Sequence, residues 1–154
     1  MAARSSAAID TASRELTITR IFDAPRALVF EAFSKAEHLK RWFAPDGFTV
    51  PDCEMDFRVG GTYRLCMRGL GRDHWVRGVY REIVKPERIV WTGMLENEGT
   101  ETVTTIAFEE HGGKTRLTMH QTFSKETDST RGAREGWTQT LEHLAEYVAT
   151  LSNR

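Results

Sequence analysis

Residues 62–71 read TYRLCMRGLG, and the alternation in that stretch decides the fold. Tyr63, Leu65 and Met67 fall on one side of an extended chain and Arg64 and Arg68 on the other, the two-residue period of a strand with one buried face. Gly69-Leu70-Gly71 then punctuates the run as a turn. Outward from this point the pattern repeats from Phe48 to Phe123, with further turn signals at Gly60-Gly61, Lys85-Pro86, Asn97-Glu98-Gly99 and His111-Gly112-Gly113. Six successive strands result. Connections this short carry no crossover, so the strands are antiparallel neighbours in a meander.

The flanks complete the architecture. Glu15 to Phe22 alternates Leu16 and Ile18 with Thr17 and Thr19 and reads as a further strand, making seven. Asp23 and Pro25 open a helical run, Leu28 to Phe43, that reads as one helix broken near Ser34 or as two short ones. From about Thr130 to Leu151, Trp137, Leu141, Leu144, Val148 and Leu151 recur at steps of four and three, one apolar helix face. A sheet with one apolar face must bury it, and this helix of roughly 30 Å is the element long enough to cover it. The expectation is an α+β fold: a curved seven-stranded antiparallel sheet around a long C-terminal helix, with two short helices after the first strand. Residues 1–13, rich in Ala and Ser, read as a flexible tail, and 14–152 as one domain.

The chain has 154 residues, 40% of them hydrophobic and 28% charged, enough for one full core. A formal net charge of -1 supplies no basic field for nucleic acid, and no run of 18 apolar residues offers a membrane span. With no apolar segment of signal-peptide type at the start, the expected location is cytoplasmic. Cys53 and Cys66 fit no metal spacing. In a hairpin turning at Val59-Gly60-Gly61, hydrophobic matching pairs Phe57 with Tyr63, Met55 with Leu65 and Cys53 with Met67. Cys66 then faces away from Cys53, which argues for two free thiols.

The element order and five local strings resemble a known family. The strings are Ala24-Pro25-Arg26-Ala27-Leu28-Val29-Phe30, Arg41-Trp42-Phe43-Ala44-Pro45, Arg58-Val59-Gly60-Gly61, Pro86-Glu87-Arg88-Ile89-Val90-Trp91-Thr92, and Gly136-Trp137 followed by Leu141 and Leu144. Together, over residues 14 to 152, they resemble the helix-grip fold of the START-like, or SRPBCC, superfamily, in the branch named after the activator of heat-shock protein 90 ATPase. The resemblance implies a hydrophobic cavity between sheet and helix, used by such proteins for lipids, hormones or polyketides. It also marks two departures: Gly93, where many relatives carry an aromatic residue, and Gln121, near where a histidine is common.

The expected ligand-binding residues are Trp42, Tyr63, Leu65, Met67, Trp91, Met119, Gln121, Trp137 and Leu141. Such stripes are more often plain core on composition alone, and the resemblance is what moves them toward a cavity. Tyr63, Gln121, His74 or Arg77 are candidate polar anchors. Trp42, with Phe43 and Pro45, reads either as a lip over the cavity mouth or as a buried plug. Gly136 reads as a helix position kept small to pass close to the sheet or an entrance loop, or else the helix starts late with Gly132 in the preceding loop.

No G-x-S-x-G, P-loop, G-x-G-x-x-G or HExxH string occurs, so no catalytic residue, metal or cofactor is expected. Acid–base chemistry by His74, Tyr80, Glu82 or His120 stays open, because neither parity of residues 74–83 is cleanly apolar. Non-catalytic binding of a small hydrophobic or amphipathic molecule is the main expectation. The alternatives are an enzyme of cyclase, dehydratase or lyase type and a chaperone ATPase co-regulator. For the last, the chain is expected to lack the second, upstream domain that the eukaryotic activators carry.

Overall fold

The computed structural model describes residues 14–152; the expected tail, 1–13, lies outside the described residues. β1 (Glu15–Phe22) is followed by α1 (Arg26–Glu31) and α2 (Ala36–Trp42). Then come β2 (Thr49–Met55), β3 (Thr62–Gly69), β4 (Arg72–Val84), β5 (Arg88–Leu95), β6 (Thr100–His111) and β7 (Lys114–Phe123). A single turn, α3 (Asp128–Arg131), leads into the long α4 (Ala133–Ser152). The seven strands form one antiparallel sheet in the order β1-β7-β6-β5-β4-β3-β2, so the last meander strand returns to pair with the first. The break between α1 and α2 falls at Ser34, whose hydroxyl donates to the Glu31 carbonyl at 2.7 Å and draws that acceptor off the helical ladder.

Helix α4 lies across the inner face of the sheet. Leu141, Leu144, Val148 and Leu151 are buried there beside Ile106, Leu117 and Met119, each contributing roughly 1.5–3 kcal/mol by leaving water. Two polar ties hold α4 to β1 at the rim: Arg20 pairs with Glu142 at 2.7 Å, and Arg134 donates to the Thr17 carbonyl.

The β2–β3 register differs from the expected one by two residues: Met55 faces Tyr63 and Cys53 faces Leu65. Phe57 is the cause. It leaves the strand and packs its ring against Phe30 and Tyr80, and the Asp56–Gly61 loop bonds to Tyr80 of β4 instead of closing a tight hairpin. A shift of two keeps every side chain on its face. Cys53 and Cys66 are therefore on opposite faces, and both are free and buried.

Parity on β4 is now fixed. Pairing with β3 turns His74, Val76, Gly78 and Tyr80 inward and Trp75, Arg77 and Val79 outward. A register shift between Tyr80 and Glu82 then reverses the phase, so Ile83 faces inward opposite Ile89 while Glu82 pairs with Arg88 outside.

Candidate ligand cavity

Side-chain size along α4 decides where space is left. Its last three turns carry the large aliphatics that fill the core, but Ala133 and Gly136 at its start, with Gly132 just before it, contribute almost no volume. Under that small-residue end the sheet and helix do not meet, and a cavity of about 360 Å³ remains. Gly132 is outside α4, as its carbonyl accepts the first helical bond, from Gly136 N–H at 3.1 Å. Gly136 itself is helical and faces Pro45, where an added Cβ would stand at an ordinary 3.9 Å. Close packing therefore does not require this glycine.

The walls are mainly aromatic and aliphatic. Tyr63, Met67, Val76, Trp91 and Phe123 line the cavity from the sheet, Trp137 from α4, and Phe43, Pro45 and Phe48 from the loop after α2. Leu70 borders the cavity from the tip of the β3–β4 hairpin. It is 83% exposed and sits at φ 57°, a left-handed conformation unusual for leucine, followed by Gly71 at φ 78°. Two positive φ values in succession make the two-residue turn that matches strand twist, and they hold Leu70 at the cavity mouth.

Polar groups around the cavity are tied to one another. Trp137 Nε1–H donates to Gln121 Oε1 at 3.0 Å, and Gln121 Nε2–H donates to Thr104 Oγ1 at 2.7 Å, so Gln121 bridges helix and sheet. The Tyr63 hydroxyl donates to the Thr92 carbonyl at 2.8 Å. That carbonyl is free because the β4–β5 ladder skips the two pairs between Arg77–Met94 and Tyr80–Trp91, where Val79 N–H turns to Thr92 Oγ1 instead. Gly78 and Gly93 make this possible: a Cβ on Gly78 would collide with the Thr92 carbonyl, and one on Gly93 would reach the Tyr63 hydroxyl at 3.0 Å. The Tyr63 side chain thus takes the space beside Gly93. Burial, and then the neighbouring Tyr80, hold the Tyr63 hydroxyl protonated far above the usual tyrosine range.

The mouth loop is pinned to α4 by His143, whose Nδ1 lies 2.7 Å from the Ala44 carbonyl and Nε2 2.7 Å from the Asp46 carboxylate. The carbonyl oxygen only accepts, so Nδ1 carries the hydrogen of that bond. Asp46 N–H adds a bond to Gln139 Oε1 at 3.0 Å.

Of the residues expected to line a cavity, Tyr63, Met67, Trp91, Gln121 and Trp137 surround this one. Leu65 borders only a small void of about 20 Å³ deeper in the core. Met119 and Leu141 are core residues at 0% and 1% exposure. Trp42 is a plug, not a lip: it is 1% exposed, stacks edgewise on Phe33, and donates its indole N–H to the Ala32 carbonyl at 3.0 Å. Of the expected polar anchors, Arg77 points out of the cavity, against Met94 Sδ. Among the lining residues that the sequence reading missed, Phe48 and Leu70 gave no periodic signal, since they sit in loop and turn.

Among the described residues, His74 and Tyr63 are the titratable groups of the lining, and the other acid–base candidates lie elsewhere. Glu82 is outside with Arg88, and His120 is outside within 3.2 Å of Glu15. Tyr80 is deep in the core beside Phe57 and Tyr63. Among the described residues no cluster of three or more His, Cys, Asp or Glu is placed to hold a metal ion. A larger groove of about 900 Å³ runs over the outer face, but Glu54, Arg64, Arg77, Arg81 and Glu101 line it from solvated positions.

Residues 23–149 match the model of the family described as Activator of Hsp90 ATPase homolog 1-like protein. The chain belongs to that family. Solved structures with the same fold include a Chromobacterium violaceum protein, 29% identical, covering 88% of this chain and 96% of its own at a TM-score of 0.78. An uncharacterized Rhizobium leguminosarum protein is 32% identical, covering 88% and 94%, with a TM-score of 0.71. A Nitrosomonas europaea protein, at 24% identity, covers 93% and 99% with a TM-score of 0.79. No curated protein matches the chain. Among the described residues of this family member no helix is long and apolar enough to cross a membrane.

Proposed function

We propose that the protein binds a small hydrophobic or amphipathic molecule between the sheet and the first turns of α4, without transforming it. The observation that carries this reading is the pairing of an aromatic-walled space of about 360 Å³ with the lack of any converging acid and base around it. Ligand sites run from about 300 Å³ upward, with apolar walls and a few placed polar groups. Retaining Gly136 in the helix interior forgoes about 1 kcal/mol relative to alanine, which fits a position kept empty for an occupant.

An enzyme of this shape needs a proton donor and acceptor within hydrogen-bond reach of the substrate. Here His74 and Tyr63 are the titratable residues of the lining, and the Tyr63 proton is already given to Thr92. The test is a calorimetric screen of apolar and amphipathic compounds, followed by mass spectrometry of any binder after long incubation. Saturable binding with the compound recovered unchanged supports the proposal. A binder returned as a dehydrated, cyclised or cleaved product means the protein is an enzyme.

A further inference from the structure

The cavity's polar atoms divide into those bonded within the protein and those left open. Tyr63 and Gln121 are bonded as described, Thr100 donates to Glu98, and Thr130 and Thr140 donate to backbone carbonyls one turn away. His74 differs. Its Nε2 lies 3.3 Å from the Gly69 carbonyl, which only accepts, so in the neutral ring Nε2 carries the hydrogen and Nδ1 keeps an open lone pair. No hydrogen bond within the described residues uses Nδ1. Since no buried side-chain nitrogen or oxygen among the described residues lacks a partner, this atom is reached from open space. The ring belongs to the cavity lining, with Phe48 at 5.6 Å on one side and the Leu70 turn next to it.

The second observation is charge. Among the described residues that line the cavity there is no Asp, Glu, Lys or Arg. An ionised ligand group would leave water there with no permanent counter-charge, a cost of several kcal/mol in apolar surroundings. Size is bounded too: a cavity of about 150 Å³ takes one benzene ring, so this one takes about two rings.

We propose, resting on the binding reading above, that the occupant is an uncharged molecule of about two rings whose hydroxyl donates to His74 Nδ1. His74 is then the residue that selects it. The same lining disfavours an anionic lipid or fatty acid.

Three probes of one shape test this on the full chain at neutral pH: 2-naphthol, 2-methoxynaphthalene and 2-naphthoate, with Kd from calorimetry and the Trp91 and Trp137 indole NMR signals as site reporters. One net hydrogen bond predicts that naphthol binds about three- to tenfold tighter than its methyl ether. Naphthoate binds at least about tenfold more weakly than naphthol, from the uncompensated charge. His74→Phe removes the preference for naphthol over the ether, and His74→Gln, which keeps an acceptor, retains part of it. Naphthoate binding as tightly as naphthol, or a preference that survives in His74→Phe, overturns the proposal. If none of the three probes moves the Trp91 and Trp137 signals, the binding reading itself fails, and this one with it.

Discussion

Gly136→Ala separates a helix position kept empty from one that is merely close-packed. The substitution adds a methyl group in the first turns of α4. The nearest atom to the new Cβ beyond the helix backbone is Pro45 Cβ at 3.9 Å, ordinary van der Waals contact, so no steric cost offsets the gain. Alanine in a helix interior is about 1 kcal/mol better than glycine. For a chain of about this length, 1 kcal/mol moves the melting midpoint by about 2–4 °C. The expected outcome is a rise of that size in a thermal melt followed by circular dichroism. The methyl takes about the space of one water, roughly 30 Å³, so binding of a small probe weakens only modestly. Gly136→Phe, which fills far more of the space, should abolish it. A Gly136→Ala protein that melts lower would refute the reasoning, because the helix start would then be packed against the Pro45 loop with no room to spare.

Other expectations follow from the same geometry. Gly78→Ala drives a methyl into the Thr92 carbonyl, so it should cost about 3 kcal/mol or more in urea unfolding. Gly93→Ala meets the movable Thr102 Oγ1 at 2.7 Å and should lose clearly less, about 1 kcal/mol. Tyr63→Phe leaves the Thr92 carbonyl without its donor and should lower stability by about 1–2 kcal/mol, measured as a shift in the urea midpoint at unchanged slope. Cys53 titrates from its ordinary 9.0 up to about 11, chiefly through burial. Its contribution to stability is thus intact below pH 9 and lost as the pH climbs toward 11, where the unfolded thiol ionises first. At pH 9 the folded thiol should react with a disulfide reagent about fiftyfold more slowly than in the urea-unfolded chain, because the thiolate is the reactive form. Equal rates would show that Cys53 is not buried.

The elements of the fold were legible because their signals are periodic. The steps from Trp137 to Leu151 define a buried helix face, and glycine pairs mark the turns that make the meander antiparallel. Register was less legible: Phe57 continues the hydrophobic alternation of β2, and only its contacts with Phe30 and Tyr80 reveal that it has left the strand. Parity on β4 was unreadable for a comparable reason. The irregularity after Tyr80 puts Tyr80 and Ile83 on one face, so neither alternating set is clean across residues 74–83. The cavity is written mostly in missing volume, at Gly132, Ala133 and Gly136, whereas sequence reading favours residues that are present. The lip alternative for Trp42 arose because its neighbours Phe43 and Pro45 do border the mouth. Its own indole found the Ala32 carbonyl instead.

The four tryptophans test the central claim most directly, since each indole N–H gives its own nitrogen-15 NMR signal. Trp137, bonded to Gln121, and Trp91 line the cavity. Trp42 is buried away from it, and Trp75 lies on the outer face under the Arg64 guanidinium at 3.9 Å. Titration with an uncharged two-ring compound such as 2-naphthol should shift Trp137 and Trp91 saturably and leave Trp42 and Trp75 in place. Shifts confined to Trp75, or no shift at saturating ligand, would contradict a binding cavity between the sheet and α4.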